Sequence, residues 1–414
     1  VTPAPAPEIP PAKTDWRERW LAMDRWLAAQ HAFWLPVPFA TPEPGWTREQ
    51  PALARWLEAL DEASVAVYET DGAALTEALA PLLPALAERR ALLHLPFLGG
   101  TPDPLPETQA VDMPGRKRLQ SGALAGALKP LAHPVLDWCC GKGHLARTLA
   151  PHVDGPVSGF EWDAALVRDG NDLARRYHDH VTLQHQDVLA DDLPWPDAHH
   201  GVALHACGDL HRRLIRGATT QCWPRLSVSP CCFHLTGEAR YTPLSRLAAD
   251  HSRMPELSRA MLRLAVRETV TAPARVRRQT VQQQVWRLGF DALQRHLRGV
   301  EEYLPVPSHP TRLNHEGFAA FCRWAADRRG VPLPHDVDWD RWLVEGGRRQ
   351  RQVRRHELLR HLFRRPLEVW MVLDYAVFLE ERGYRVRLGT FCERALTPRN
   401  LLLDAERVPA QGLR

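Results

Sequence analysis

No apolar run in this 414-residue chain approaches the ~18 residues that a membrane-crossing helix needs, so no membrane span is expected. The opening stretch, VTPAPAPEIPPAKTDW, has no apolar h-region. It is rich in proline and alanine, and residues 1–13 read as a disordered leader rather than a secretion signal. Eight cysteines are present, but no CxxC spacing and no framework pattern. That argues against an extracellular disulfide scaffold and fits reduced thiols in the cytoplasm. Neither GxGxxG nor GxxxxGK[ST] occurs, which counts against NAD binding and against a P-loop. Lysine is scarce: Lys13, Lys117, Lys129 and Lys142 are the only four among 53 basic residues.

What is present is the composition of a soluble globular protein, 44% hydrophobic and 25% charged, at a length that suggests two or three lobes. The charge is uneven. Residues 1–250 carry 23 basic against 30 acidic side chains, and residues 251–414 carry 30 against 19, a net +11. All the basic groups of the second part are arginines, whose planar fork suits phosphate. An anionic partner is one reading of this asymmetry. A solvated helical surface written in arginine codons is the other.

Residues 14–92 carry helical periodicity, with Trp16, Trp20, Met23, Trp26 and Leu27 on one face as a core-facing stripe. Residues 93–115 hold many turn formers and read as a linker, so 14–115 form an N-terminal helical region with its connection. From 116 a helix leads into short apolar strands that alternate with helical stretches. The strands are HPVLDWC, PVSGFEW, VTLQHQDV, HGVALHAC and LSVSPCCFHL. Such alternation predicts an α/β, doubly wound parallel sheet over 116–237. It stops over 238–365, which read as an arginine-rich helical insertion after strand five, and resumes over 366–414 with one apolar helix and the strands YRVRLGTF and PRNLLLDA.

In an open α/β sheet, ligands lie beyond the carboxyl ends of the strands. Those ends carry Asp137, Cys139, Cys140, Gly141 and Gly143, then Glu161, then Asp187, then His205, Cys207 and Asp209, then Pro230, Cys231, Cys232 and His234. Glu161 lies 24 residues after Asp137, where a carboxylate can accept hydrogen bonds from both hydroxyls of a ribose. Asp187 lies 26 residues further on, where an acid can meet an adenine amino group. The turn Gly141-Lys142-Gly143 lets backbone approach a ligand closely and opens a helix.

On these residues, 135–206 resembles the class I S-adenosylmethionine-dependent methyltransferases. LDWCCGKGHLA is similar to motif I of that family, GFEWD to motif II and QDVL to motif III. The resemblance implies a Rossmann-like seven-stranded methyltransferase sheet whose last two strands are YRVRLGTF and PRNLLLDA. It implies S-adenosylmethionine as cofactor, with Asp137 and the turn Cys139, Cys140, Gly141, Lys142 and Gly143 at the methionine end. It further implies Glu161 at the ribose, Asp187 at adenine and Val188 beside it, with His205 bordering the same pocket. Cys139 departs from the family, which usually has glycine there. CCGKGHL, LHACGDL, S-P-CC and TPRNLLL together are similar to a narrower group, the methyltransferase-like domain proteins that include relatives of methyltransferase-like protein 25 and of a eukaryotic tRNA 2′-O-methyltransferase.

Three readings of the cysteines stay open: small apolar packing residues, acceptor chemistry and a metal site. For acceptor chemistry the candidate catalytic residues are Asp209, His205, Cys232 and His234, with Lys142 a further polar clamp. A thiol such as Cys232 could also attack a pyrimidine before carbon methylation. For a metal, the thiols of 139/140, 207 and 231/232 with His234 would have to converge from three strand ends without any CxxC, and no ligand set is assigned. The expected activity is methyl transfer in the cytoplasm, with RNA as acceptor. RNA would be held by the arginine-rich 251–365, through the runs at 275–278 and 348–355 and stacking on Trp324, Trp339 and Trp342. A protein or small-molecule acceptor, or a non-catalytic cofactor- or metal-binding module, are the alternatives. Lys117 and Arg118 are candidate rim residues, and Arg399 and Asn400 read as a surface turn.

Overall fold

The computed structural model describes residues 15–197, 199–266 and 274–409, so the expected leader at 1–13 lies outside the described residues. Seven strands form one sheet: β1 (Val135–Trp138), β2 (Val157–Glu161), β3 (Val181–His185), β4 (His200–Cys207), β5 (Arg225–Cys231), β6 (Tyr384–Thr390) and β7 (Leu401–Arg407). Their spatial order is β3-β2-β1-β4-β5-β7-β6. The first five strands pair in parallel, and β7 runs antiparallel to both β5 and β6. This is the doubly wound α/β sheet that the alternation predicts.

The burial of each strand follows its place. β1 and β5 are central, and every residue of both is buried. Their buried polar groups are therefore paired inside: on β5, Arg225 and Ser227 donate to Asp404, and Ser229 donates to Arg399 O. β3 is an edge strand and alternates, with Val181 and Leu183 inward and Thr182 and Gln184 outward. The sheet's switch point lies between β1 and β4, where chain order reverses, so the carboxyl ends of these two strands border a natural crevice.

The chain divides into two compact units. The first contains the sheet and draws on Val1–Ala28, Ala91–Val266 and Arg365–Arg414. The second draws on Ala29–Arg90 and Arg267–Arg364. These limits differ from those read in the sequence. Residues 238–266 stay with the sheet because the buried carboxylate of Asp374 holds them. It accepts hydrogen bonds from Tyr241 Oη at 2.6 Å, Leu244 N at 2.8 Å and Ser245 N at 2.8 Å. Residues 29–90 join the arginine-rich helices instead of forming a lobe with 14–28. Arg354 forks onto Glu69 at 2.6 and 2.7 Å, and Arg355 reaches Leu60 O at 2.6 Å.

Within the sheet unit, the stripe Trp16, Trp20, Met23, Trp26 and Leu27 is buried as its spacing predicts. The expected linker is more ordered than its composition suggests. Leu98 N donates to Thr390 O at 2.7 Å and Thr390 N to Pro96 O at 2.9 Å, so this segment runs along β6 and covers the sheet's edge. Arg399 and Asn400 do not form a surface turn. Asn400 is buried and donates to Cys392 O at 2.7 Å, and Ser229 Oγ donates to Arg399 O at 3.1 Å. Among the described residues, no helix is long and apolar enough to cross a membrane.

The second unit has its own core around Trp286, Phe290, Phe321 and Trp342. Trp342 is buried, while Trp324 and Trp339 pack partly buried against that cluster, edge-on or tilted to Phe321 and Phe318. All three tryptophans therefore contribute to the core, the role that helical spacing favours.

Candidate functional site

β1 delivers Asp137 and then turns sharply. Cys139 (φ +58°), Gly141 (φ +57°) and Gly143 (φ +69°) all adopt left-handed backbone. A left-handed cysteine is strained, because its Cβ crowds the following carbonyl. A glycine at this position would carry no such strain. At Gly141 a Cβ would enter open space, with no atom within 4 Å, so the turn leaves room beside its backbone. At Gly143 a Cβ would stand 2.9 Å from the Leu183 side chain. The helix His144–Leu149 follows at once, and its Ala146 N donates to Asp137 Oδ2 at 3.0 Å. Burial raises the pKa of Asp137 to about 7; the Ala146 bond opposes this and the nearby Glu161 adds to it.

β2 ends on Glu161, which is buried. One carboxylate oxygen accepts from Gly141 N at 2.9 Å and the other from Asp163 N at 3.1 Å. The acid at one strand end therefore fixes the glycine turn at its neighbour, and each oxygen keeps a further lone pair for a ligand. Asp187 follows β3 and is exposed, with Oδ1 accepting from Leu189 N at 2.9 Å; Val188 beside it is buried. Trp162, directly after Glu161, is 74% exposed, a large apolar face in the open next to the buried acid. Sequence reading missed it, although an aromatic following the second-strand acid was a visible signal.

Two other candidates fall elsewhere. The Lys142 ammonium lies 3.1 Å from Asp112 and 3.0 Å from Asp169, which ties it to the flank of the turn. Cys140 is partly buried and packs against the core, its sulfur where a Cβ on Gly159 would meet it at 2.6 Å. Burial pushes the thiols of Cys139 and Cys140 up, with Asp137 and Glu161 adding to the effect, so both stay protonated at neutral pH.

The candidate catalytic residues lie at the ends of β4 and β5. His205 also has left-handed backbone (φ +65°), and its Nε2 is 3.0 Å from Gln120 Oε1. Burial, then the nearby Lys117, lowers its pKa, so the ring is neutral at pH 7. Lys117 thus lies within electrostatic reach of His205, whereas Arg118 is turned to Leu105 O and Glu107. Asp209 opens the helix Asp209–Thr220, and its Oδ2 accepts from Gly237 N at 2.8 Å, which closes the loop after β5. His234 is half-buried, and its Nδ1 is buried without a hydrogen-bond partner.

The thiols converge in one place. Cys207 and Cys231 are register partners across β4 and β5, with their sulfurs 3.6 Å apart. Cys232 follows with left-handed backbone (φ +48°), and the sulfurs of Cys207, Cys231 and Cys232 all lie within 4.8 Å of one another. Hydrogen bonds from Cys207 and Cys231, with Arg399 and His234 nearby, hold the Cys232 thiol well below the ordinary range. The same sharing pushes Cys231 up. Cys139 and Cys140 do not belong to this group.

A large concavity lined by Gly155, Val157, Asp179, Val181 and Trp195 lies at the opposite, amino ends of β2 and β3. It carries none of the acids and glycines described above, and the carboxyl ends are the chemically equipped side.

A 2-phytyl-1,4-naphtoquinone methyltransferase from Synechococcus elongatus is 42% identical over 76 residues, covering 18% of this chain and 33% of that protein. The chain thus spans about a third of the length of the curated relatives it matches. Among solved structures, magnesium protoporphyrin IX methyltransferase from Synechocystis with bound S-adenosylhomocysteine aligns at 12% identity, over 71% of this chain and 84% of that one, with a TM-score of 0.30. The Pyrococcus abyssi tRNA (uracil-54, C5)-methyltransferase aligns at 15% identity, over 27% of this chain and 28% of that one, with a TM-score of 0.22. Residues 125–238, which run from the helix before β1 to the loop after β5, match the family model described as a methyltransferase domain.

Proposed function

We propose that the sheet unit binds S-adenosylmethionine and passes its methyl group to a nucleophilic acceptor. The observation that carries this reading is the buried Glu161 carboxylate closing on Gly141 N, beside Asp137 and an open glycine turn at the sheet's switch point. The match of 125–238 to a methyltransferase domain supports it. The residues suit the group: Glu161 for the ribose hydroxyls, Asp187 for the adenine amino group, Asp137 and the 139–143 turn for the methionine end. When bound, S-adenosylmethionine supplies a methyl group already activated by its sulfonium. The protein's task is then to position the acceptor and take up its proton. His205, neutral at pH 7, suits the proton-accepting role, with Asp209, Cys232 and His234 bordering it in this reading.

RNA is the proposed acceptor, in line with the motif likeness to the narrower group of methyltransferase-like domain proteins. The exposed Arg275, Arg277 and Arg278 support it. The quinone methyltransferase likeness favours a small molecule as the second reading. The test is transfer of a labelled methyl group into fractionated RNA, protein and metabolites from cells lacking the gene. Label in RNA is expected; label only in metabolites assigns the second reading. Glu161→Gln should weaken S-adenosylmethionine binding by about 10–100-fold, since a hydrogen bond to a charged group contributes roughly 1.5–3 kcal/mol. Binding without transfer to any fraction would leave a non-catalytic cofactor-binding module, and no binding by the wild type would refute the proposal.

A further inference from the structure

The thiols of Cys207, Cys231 and Cys232 are not accounted for by cofactor binding. We infer that they form a zinc(II) site of three thiolates at the carboxyl ends of β4 and β5. Tetrahedral zinc with thiolates at about 2.3 Å sets its sulfurs ~3.8 Å apart. Here Cys207 and Cys231 are at 3.6 Å, and all three sulfurs lie within 4.8 Å of one another. The spacing is too long for a disulfide and close to what one small cation needs.

The site rests on rigid elements. Two ligands are register partners on adjacent buried strands, where the β4–β5 ladder shifts between Leu204 and Cys207. The third is turned inward by the left-handed backbone of Cys232. The backbone is fastened on both sides: Gly208 N donates to Cys231 O at 3.0 Å, Leu235 N to Cys232 O at 2.8 Å and Asp209 N to Leu235 O at 3.0 Å. Such preorganisation costs little further ordering when a ion binds.

His234 Nδ1 is buried with no hydrogen-bond partner, although a buried imidazole nitrogen normally finds one. It lies near Cys232, two residues along the same turn. No nitrogen of His234 belongs to the group of ligand atoms lying within 4.8 Å of one another, so the assigned set is the three thiolates, with His234 beside it. The donors are soft, which selects zinc over magnesium or calcium. Each thiol releases its proton to solvent on binding, and no oxidation is involved.

The test uses the full chain, reduced and stripped with a chelator, and titrated with zinc(II) against a chromophoric competitor. One equivalent should bind with sub-micromolar affinity. Cobalt(II) in its place should give the intense charge-transfer bands of a tetrahedral site with three thiolates. Cys207→Ser, Cys231→Ser and Cys232→Ser should each weaken zinc binding at least about 100-fold. Cys222→Ser, at an exposed cysteine outside the group, should bind like the wild type. The wild-type titration needs no variant to fold. Failure of the reduced wild type to take up one zinc would overturn the inference, as would a cobalt spectrum with fewer than three thiolates. S-adenosylmethionine binding is read separately, so loss of the methyltransferase reading leaves this test intact.

Discussion

Asp137 is the residue whose environment most changes its chemistry. Buried at the end of β1, it has its pKa raised to about 7, mainly by burial. The folded chain therefore holds this proton more tightly than the unfolded chain. The group costs nothing below about pH 4, and stability falls as pH rises from there through 7, by an amount on the order of 4 kcal/mol. An ammonium group at the cofactor's methionine end would reverse the preference, because an adjacent cation favours the carboxylate. S-adenosylmethionine binding should then release a proton below pH 7. Its affinity should climb by up to about tenfold per pH unit from pH 5 to 7 and level off above. Calorimetry in two buffers of different protonation enthalpy measures the released proton, and Asp137→Asn should flatten the profile. The two turn glycines should separate binding from folding. Gly141→Ala carries only the ~1–2 kcal/mol of left-handed backbone but places a methyl in the open space of the cradle, so affinity should suffer most. Gly143→Ala adds a 2.9 Å contact with Leu183, so thermal denaturation should show the larger loss of stability. The opposite ranking would contradict the turn's geometry.

At the scale of elements, β5 and β7 are joined by more than their ladder. Arg225 on β5 forks onto Asp404 on β7 at 3.0 and 3.1 Å. Ser227 Oγ donates to the same carboxylate at 2.6 Å, and His200 on β4 meets that hydroxyl at 2.7 Å. Burial alone would raise the pKa of Asp404; the Arg225 pair and the Ser227 and Arg387 bonds overcome it and bring it to about 2. Its stabilising effect is complete above about pH 4 and lost as pH falls through 2. Asp404→Ala leaves the Arg225 guanidinium buried without its partner, so urea denaturation should show a loss of about 3–5 kcal/mol. A loss under 1 kcal/mol would mean that solvent reaches the pair. These strands were legible in the sequence because short stretches rich in Val and Leu recur between helical ones and the edge strand alternates. The strand-end acids were legible as well, since Glu161 and Asp187 follow β2 and β3 at regular spacing. What stayed hidden depends on partners far away in the chain. The segment 96–98 reads as a loop until β6 provides its backbone partners. Convergence of the thiols was one reading open in the sequence; the β4–β5 register brings Cys207 to Cys231 and Cys232, and leaves Cys139 and Cys140 out of the group.

Charge over the whole molecule bears on the acceptor. The second unit's arginine-rich part, 267–364, holds 19 arginines against 11 acids, but 29–90 holds four basic residues against nine acids. Folding brings the two segments into one unit of net +3, far from the +11 that the sequence halves suggest. The run at 348–355 is largely spent on this neutralisation. Arg348 pairs with Glu345, Arg349 with Asp291 at 2.7 Å, Arg354 with Glu62 and Glu69, and Arg355 with Glu62. Arg275, Arg277 and Arg278 differ: they sit in a fully exposed stretch of the helix Ala274–Arg298. If RNA is the acceptor, these three carry a large part of its phosphate contacts. Each phosphate neutralised by an arginine releases counterions, which steepens the fall of log K with log salt by about 0.7–0.9. The variant R275A/R277A/R278A alters only exposed helical positions, so its fold should persist, as circular dichroism will show. Fluorescence anisotropy with a labelled tRNA over a potassium chloride series should give the wild type a steep slope, and the variant weaker binding with a slope shallower by about 2. Equal slopes would place the phosphate contacts elsewhere on the chain. Absence of wild-type binding even at low salt would remove RNA as acceptor, because attraction between arginine and phosphate is strongest there.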